Sequence, residues 1–277
     1  MENKESNVEQ LEKIAQGLRE DVLKMVYTAG SGHIGGSFSS AEIMTALFFS
    51  EMKINPNVEK WPDRDRFILS KGHCCPILYA TLCRRGYFEE DVLWSLRKHH
   101  SPLQGHPDMR KLPSLDMSSG SLGNGLSLGL GMALASRALH KDYRVFVLMG
   151  DGEQQEGAIW EAAMAATQLE VSNLVGIVDN NRIQLTGHTA DIIDVAPLAD
   201  KWKSFGWNVV EINGNVMSEV LDAFKRVNSF KNGSPCVIIA NTVKGKGVSF
   251  MEDEVIWHSK APSKDEYESA FDELEKK

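Results

Sequence analysis

The chain has 277 residues, 42% hydrophobic and 25% charged, a balance that excludes a disordered, collagen-like or membrane-embedded polypeptide. Thirty Lys and Arg stand against 38 Asp and Glu, and the net charge of −8 argues against a general binder of nucleic acid or of anionic membrane surfaces. A local basic pocket for one phosphorylated ligand stays open, and the length alone suits either one large α/β unit or two small domains.

The first residues, Met1-Glu2-Asn3-Lys4-Glu5-Ser6, carry charges where an export signal needs an apolar run, so the expected location is the cytoplasm. Cys74, Cys75, Cys83 and Cys236 include no Cys-x-x-Cys pair and read as reduced thiols in or near the core. Met117 to Ser136 lacks charge over a membrane-spanning length, but five Gly, five Ser and Asn124 make it too polar to cross a bilayer.

In chain order, Ser6-Asn7-Val8-Glu9 reads as a capping box. Val8, Leu11, Ile14, Ala15, Leu18, Val22 and Met25 follow at helical spacing, which predicts an amphipathic helix ending near Gly30. A glycine-rich turn from Gly30 to Gly36 and a second capping signature, Ser39 to Glu42, precede another helix. Arg66 to Ser70 reads as a short strand, and Pro76 opens a helix that runs to Gly86. Five glycines in Gly120 to Gly131 suit a ligand at the first ones and close packing at Gly129 and Gly131.

From Tyr143 onward, strands Arg144 to Met149, Leu174 to Asp179, Trp207 to Ile212 and Cys236 to Asn241 alternate with helices. The helices lie at Gly157 to Leu169, Leu198 to Phe205 and Ser218 to Phe230, and Ser263 to Glu266 caps a last one whose charged end, Glu273 to Lys277, should fray. This alternation predicts an α/β fold, a parallel sheet with helices on both faces, with ligands at the carboxyl ends of the strands. No repeat or linker divides the chain, so a single domain over 1–277 is expected.

Gly150-Asp151-Gly152-Glu153-Gln154-Gln155-Glu156-Gly157 follows an apolar strand and opens a helix. Gln155 occupies the position where a dinucleotide fingerprint needs Gly, and Asp151 would repel a bare pyrophosphate, so a cation is needed between them. Magnesium suits oxygen ligands shared between one or two side chains and phosphates, and Asp179-Asn180-Asn181-Arg182-Ile183 ends the next strand. If the two strands are neighbours, Asp151 and Asn181 can share one ion, and the helix near Gly157 adds a favourable dipole for the anion. Taken singly, each piece is also a favoured turn sequence.

Gly150-Asp151-Gly152 through Asn180-Asn181 resembles the thiamine diphosphate signature, and essentially the whole chain resembles the N-terminal half of transketolase. Ser31-Gly32-His33, Ser70-Lys71-Gly72-His73, Gln104-Gly105-His106-Pro107-Asp108, Ser119 to Gly125 and Trp257-His258 carry the same resemblance. The resemblance implies Asp151, the Asn181 side chain and the Ile183 carbonyl as Mg2+ ligands, with two diphosphate oxygens and a water completing an octahedron. It further implies that His73, the Gly152 N–H and His258 contact the diphosphate, with backbone of Gly120 and Leu122 toward the aminopyrimidine. His33, His106 and His258 would line the substrate channel, and Glu156 would bond across a dimer interface to the partner's cofactor-activating glutamate. Histidine suits these roles because it can donate or accept near neutrality. Each of these histidines also has an ordinary structural reading, and His99, His100, His140 and His188 read as surface or loop residues.

What the resemblance implies for activity is transfer of a two-carbon ketol unit from a ketose to an aldose, as in pentose phosphate carbohydrate metabolism. The chain stops where the pyrimidine-binding half of a one-chain transketolase begins, so a separate C-terminal transketolase subunit and an α2β2 heterotetramer are expected. Ser259 in place of Gly, and the His99-His100 pair, put the sugar substrate in question, so a sugar phosphate and a modified ketose both stay open. The α subunit of a 2-oxo acid dehydrogenase and a silent cofactor-binding module are the rival readings. Lys244-Gly245-Lys246-Gly247 could bind a phosphate, but loop lysines are usually solvated, and it is left outside the site.

Overall fold

A computed structural model describes residues 2–58 and 61–276, with side chains from residue 7 onward. Five parallel strands form one sheet in the order β1-β2-β3-β5-β4: β1 (Arg66–Leu69), β2 (Val145–Gly150), β3 (Leu174–Asn180), β4 (Asn208–Asn213) and β5 (Cys236–Asn241). The apolar runs that predicted β1, β2, β3 and β5 are buried on both faces of the sheet, whereas the edge strand β4 alternates between buried and exposed residues toward its end. Phe146, Leu148, Val175, Ile177 and Ile238 join a core beneath α1 (Glu2–Ala29), α3 (Ala41–Ala46), α4 (Cys75–Arg84), α9 (Met217–Ser229) and α10 (Lys264–Glu275). Val145, Val147, Met149, Val178, Val237 and Ile239 join the opposite core, beneath α5 (Asn124–Ala138), α6 (Gly157–Gln168) and α8 (Leu198–Ser204). Two short helices, α2 (Ile34–Phe38) and α7 (Thr189–Ile192), lie in the connections.

The neighbour relation on which the shared ion depends holds: β2 and β3 pair in parallel, with Gly150 opposite Asp179. Asp151 and Asn181 therefore leave adjacent strand ends. Insertion of β5 between β3 and β4 also brings Asn241, Thr242 and Lys244 to the same edge.

Several local expectations are corrected. Helix α1 begins at Glu2, ahead of the Ser6 box, and Ser6 lies within it. Gly35 and Gly36 lie in α2, inside the predicted turn, because a Cβ on Gly35 would meet the Trp257 carbonyl at 2.8 Å and one on Gly36 the Cys74 sulfur at 2.7 Å. These two glycines let a helix pass against backbone and side chains that any larger residue would displace. The Ser39 signature does not cap α3: Ser39 and Ser40 Oγ donate to the Gly36 carbonyl and to Asp179, while Glu42 pairs with Arg19 at 2.7 Å. Gly129 packs as expected, its Cβ position 2.6 Å from Val147, but Gly131 faces open space.

The Ser263 capping box forms as read, and α10 runs to Glu275, with Lys277 outside the described residues. Among the described residues no helix is long and apolar enough to cross a membrane, and the uncharged stretch instead enters α5. All four cysteines are free thiols, three of them buried.

Candidate functional site

At the carboxyl edge of the sheet a cavity of about 410 Å³ is lined by His33, His73, Gly120, Leu122, Asp151, Gly152, Glu156, Asn181, Ile183 and His258. Every residue singled out from sequence is there except His106, which sits exposed at the rim, its ring 3.5 Å from the Cβ position of Gly120. The cavity also takes in Lys71, Glu153 and Lys244, which sequence reasoning did not select.

Asp151 follows β2 and is 3% exposed. Its Oδ1 accepts from the Gly152 N–H at 2.9 Å and its Oδ2 from Thr189 Oγ1 at 3.0 Å. No ion pair to Asp151 occurs among the described residues, and burial, with Asp179 adding repulsion, pushes its carboxyl above the usual range. A buried carboxylate in that state is stabilised by a bound cation. Asn181 lies beside it, with Oδ1 accepting from the Ile183 N–H at 3.1 Å and Nδ2 donating to Asp179 at 2.9 Å. The Ile183 carbonyl accepts from Lys244 Nζ at 2.8 Å. A carbonyl oxygen has a second lone pair, so this contact leaves room for a further electrophile.

The three imidazoles of His33, His73 and His258 pack on one another, with ring centroids 5.0 to 5.3 Å apart. Burial is the main reason that all three hold their protons weakly: His33 is lowered to about 4, His73 to about 2 and His258 to about 3. They are neutral at pH 7, each with one N–H to donate. His33 Nδ1 is buried without a hydrogen-bond partner, the state of a group waiting for a ligand. Lys244 Nζ lies 2.7 Å from His258 Nδ1. Because an ammonium only donates, the His258 proton sits on Nε2. Burial lowers Lys244 to about 8, which leaves it mainly cationic at pH 7. The cavity thus combines neutral imidazole donors with two buried lysines, Lys71 and Lys244, and two buried carboxylates, Asp151 and Glu153, and of these Lys244 and the histidines are donors suited to a diphosphate.

Lys244 is 1% exposed, so the solvated-loop expectation for the Lys244 segment is corrected. It lies three residues past the end of β5, and the insertion of that strand beside β3 brings the side chain to the cavity. Glu153 is the other missed residue. Its Oε1 accepts from the Gly123 N–H at 2.8 Å and from Ser70 Oγ, and its Oε2 from the Gly150 N–H at 3.1 Å. One buried carboxylate thereby ties the ends of β1 and β2 to the start of α5. Gly123 is left-handed at φ 82°, a turn that brings Gly120 and Leu122 to the cavity. Glu156 is exposed at the start of α6, and His99, His100, His140 and His188 are exposed, as expected.

The model of the transketolase thiamine diphosphate-binding domain matches residues 11–274. One of the apulose-4-phosphate transketolase subunits of Phocaeicola vulgatus is 42% identical over 267 residues, 96% of this chain and 94% of that protein. The 6-deoxy-6-sulfo-D-fructose transketolase subunit of Clostridium sp. (strain MSTE9) is 41% identical over 266 residues and 96% of each. The transketolase of Leishmania mexicana superposes with a TM-score of 0.91 at 28% identity, covering 96% of this chain and 41% of that one. The chain thus spans nearly the whole of these subunits and about two-fifths of the longer transketolase.

Proposed function

The chain belongs to the transketolase family as its thiamine diphosphate-binding domain, and from that premise we propose that it is the cofactor-binding subunit of a two-chain transketolase. The observation that carries this reading is the pairing of a complete diphosphate-side cavity with full-length similarity to subunits and two-fifths coverage of a longer transketolase. A single domain over 1–277 is part of this reading, supported by the one sheet whose carboxyl edge the cavity borders.

The donor set fits both groups. Asp151 and Asn181 Oδ1, with the Ile183 carbonyl, would hold Mg2+, and the unpaired buried Asp151 carboxylate supplies the negative charge. The Gly152 N–H, His73, His258 and Lys244 would receive the diphosphate, the histidines as neutral donors and Lys244 as the charge. Backbone at Gly120 and Leu122 would meet the aminopyrimidine. Thiamine diphosphate, when bound, supplies a carbon nucleophile and an electron sink for cleaving the bond beside a ketose carbonyl. His33 and His258 border the place where the sugar must enter, and His106 stands at the rim. Being neutral, each can donate an N–H to a hydroxyl and so orient the ketose; His33 and His106 would also take up a proton from its oxygens, whereas His258 Nδ1 is already held by Lys244.

Glu156, exposed on the cavity wall, would bond to the partner chain. Exposed apolar residues Leu122, Leu128, Met164, Leu185 and Ile193 near or flanking the cavity support a docked C-terminal subunit, in an α2β2 assembly. Four free thiols suit a reducing cytoplasm. The two subunit relatives are named for ketoses with an anionic group, which supports a phosphorylated or sulfonated ketose as donor here.

The test is to purify the tagged chain with its partner from the native cell and assay ketol transfer with phosphorylated, sulfonated and neutral ketoses, with and without Mg2+ and thiamine diphosphate. Activity is expected only in the complex. Asp151→Ala should abolish it and weaken cofactor binding beyond the roughly 10- to 100-fold typical of losing a metal's outer partners. Ketol transfer by the isolated chain, or an unaltered Asp151→Ala complex, would overturn the reading.

A further inference from the structure

At the floor of the cavity, which Lys71 lines, lies a charged pair to which the donor set above gives no role. Lys71 and Asp179 are 2% and 0% exposed, and Lys71 Nζ is 2.5 Å from Asp179 Oδ2. All three lysine donors are taken, by Asp179, by Ser40 Oγ at 2.6 Å and by the Gly36 carbonyl at 2.8 Å. Asp179 accepts in addition from Ser39 Oγ at 2.7 Å, from Thr242 Oγ1 and from Asn181 Nδ2 at 2.9 Å. The partners come from the α2–α3 corner and from the ends of β1, β3 and β5, so four segments fix one carboxylate.

That carboxylate decides which way Asn181 faces. An ionised aspartate accepts and never donates, so it can face only the amide NH2 of Asn181. The Asn181 oxygen is thereby held on the other side, where it already accepts from the Ile183 N–H and borders the cavity. Lys71 matters for a separate reason. Without it Asp179 would be a second uncompensated negative charge close to Asp151 and would compete for the cation. With it the pair is neutral, and Asp151 is left as the anionic ligand.

We propose that Asp179, neutralised by Lys71, is a positioning residue that presents the Asn181 oxygen to the metal of the cofactor site. This rests on the reading of Asp151, Asn181 and Ile183 as the metal ligands. Its counterpart, a buried pair that only stabilises the sheet edge, makes a different prediction for metal affinity at constant stability.

The experiment titrates Mn2+ into the full-length chain in the presence of inorganic pyrophosphate, followed by electron paramagnetic resonance, with melting curves on the same samples. D179L/K71M removes both charges and the acceptor, while Ser39 and Ser40 keep the Gly36 carbonyl. Its Mn2+ affinity is expected to fall about 10- to 100-fold, as for other outer partners of metal ligands. D179N/K71M retains an amide oxygen for Asn181 and should stay within about threefold of wild type, with a melting temperature like that of the other double variant. D179E keeps the charge pair but displaces the acceptor, and it should lose at least about tenfold even if D179L/K71M fails to fold. Wild-type affinity in D179E, or equal affinities in the two double variants, would overturn the positioning role alone. No Mn2+ binding by wild type would overturn the metal reading and this proposal with it.

Discussion

Lys244 touches two groups with different tasks, the Ile183 carbonyl and His258 Nδ1, and does so from within the protein. Burial is the largest reason His258 titrates near 3, and Lys244 is the next. In Lys244→Met the burial remains and the neighbouring charge goes, so the His258 pKa should rise above about 3 yet stay below 6.5, read from its imidazole resonances in the cofactor-free chain. The same variant should bind pyrophosphate with Mg2+ about 10- to 100-fold more weakly, the value of a hydrogen bond to a charged group. An unmoved His258 titration would mean that the ammonium does not face the ring in solution. Sequence could not select Lys244 over Lys246, because both are loop lysines next to glycines. The difference is that Lys244 is buried and bonded to Ile183 and His258, whereas Lys246 is partly exposed and pairs with Glu252. Asp151 and Asn181 could be singled out because their residue types and spacing suit a shared cation, and the motif histidines came with the resemblance; the structure brings all but His106 to one cavity, whereas Asp179 and Glu153, bonded only to their neighbours, carry no such local signal.

The elements show the same division between local signals and signals that depend on packing. The capping box of α10 is local, and Ser263 Oγ accepts from the Glu266 N–H while Glu266 accepts from the Ser263 N–H at 2.8 Å. Ser263→Ala should therefore destabilise the chain by about 1 kcal/mol in urea unfolding. The loss reaches the core because Ala270 and Leu274 of α10 are buried in the cluster that holds α1. A neutral substitution would show that the helix start is held by packing alone. The same Ser-x-x-Glu spelling at Ser39 does not cap, because the Ser39 and Ser40 hydroxyls are turned to donate to the Gly36 carbonyl and the buried Asp179 carboxylate, and neither accepts from the first N–H groups of α3. Strands β1, β2, β3 and β5 were legible from apolar runs, since burial on both faces leaves few polar residues to interrupt them. Strand order was not, because β5 reaches its place between β3 and β4 by a crossover that no local pattern specifies. That crossover sets Thr242 and Lys244 beside Asn181, and so the part of the site it builds was invisible until the sheet was assembled.

For the molecule as a whole, the apolar residues left uncovered are the informative ones. Helices α5 and α6 pack side by side, yet Leu128 is 47% and Met164 54% exposed, and Leu185, on the cavity wall, and Ile193 are each 60% exposed. Single exposed apolar residues are ordinary, but four of them on α5, α6 and the segment after β3 suit a surface that the proposed partner would cover. If the C-terminal subunit covers it, a charge placed there must be buried unpaired on assembly, while in the free chain it stays in water. Met164→Glu should thus leave the melting temperature of the isolated chain nearly unchanged, within about 0.5 kcal/mol of stability. It should weaken association with the partner at least about tenfold, a cost of roughly 1.4 kcal/mol, measured by calorimetric titration of the two chains. Wild-type affinity in this variant would place the partner on another face and leave Glu156 without the neighbour proposed for it. A loss of association with the isolated chain unharmed would instead tie the exposed face of α6 and the open side of the cavity to one interface, so that docking and completion of the catalytic site become the same event.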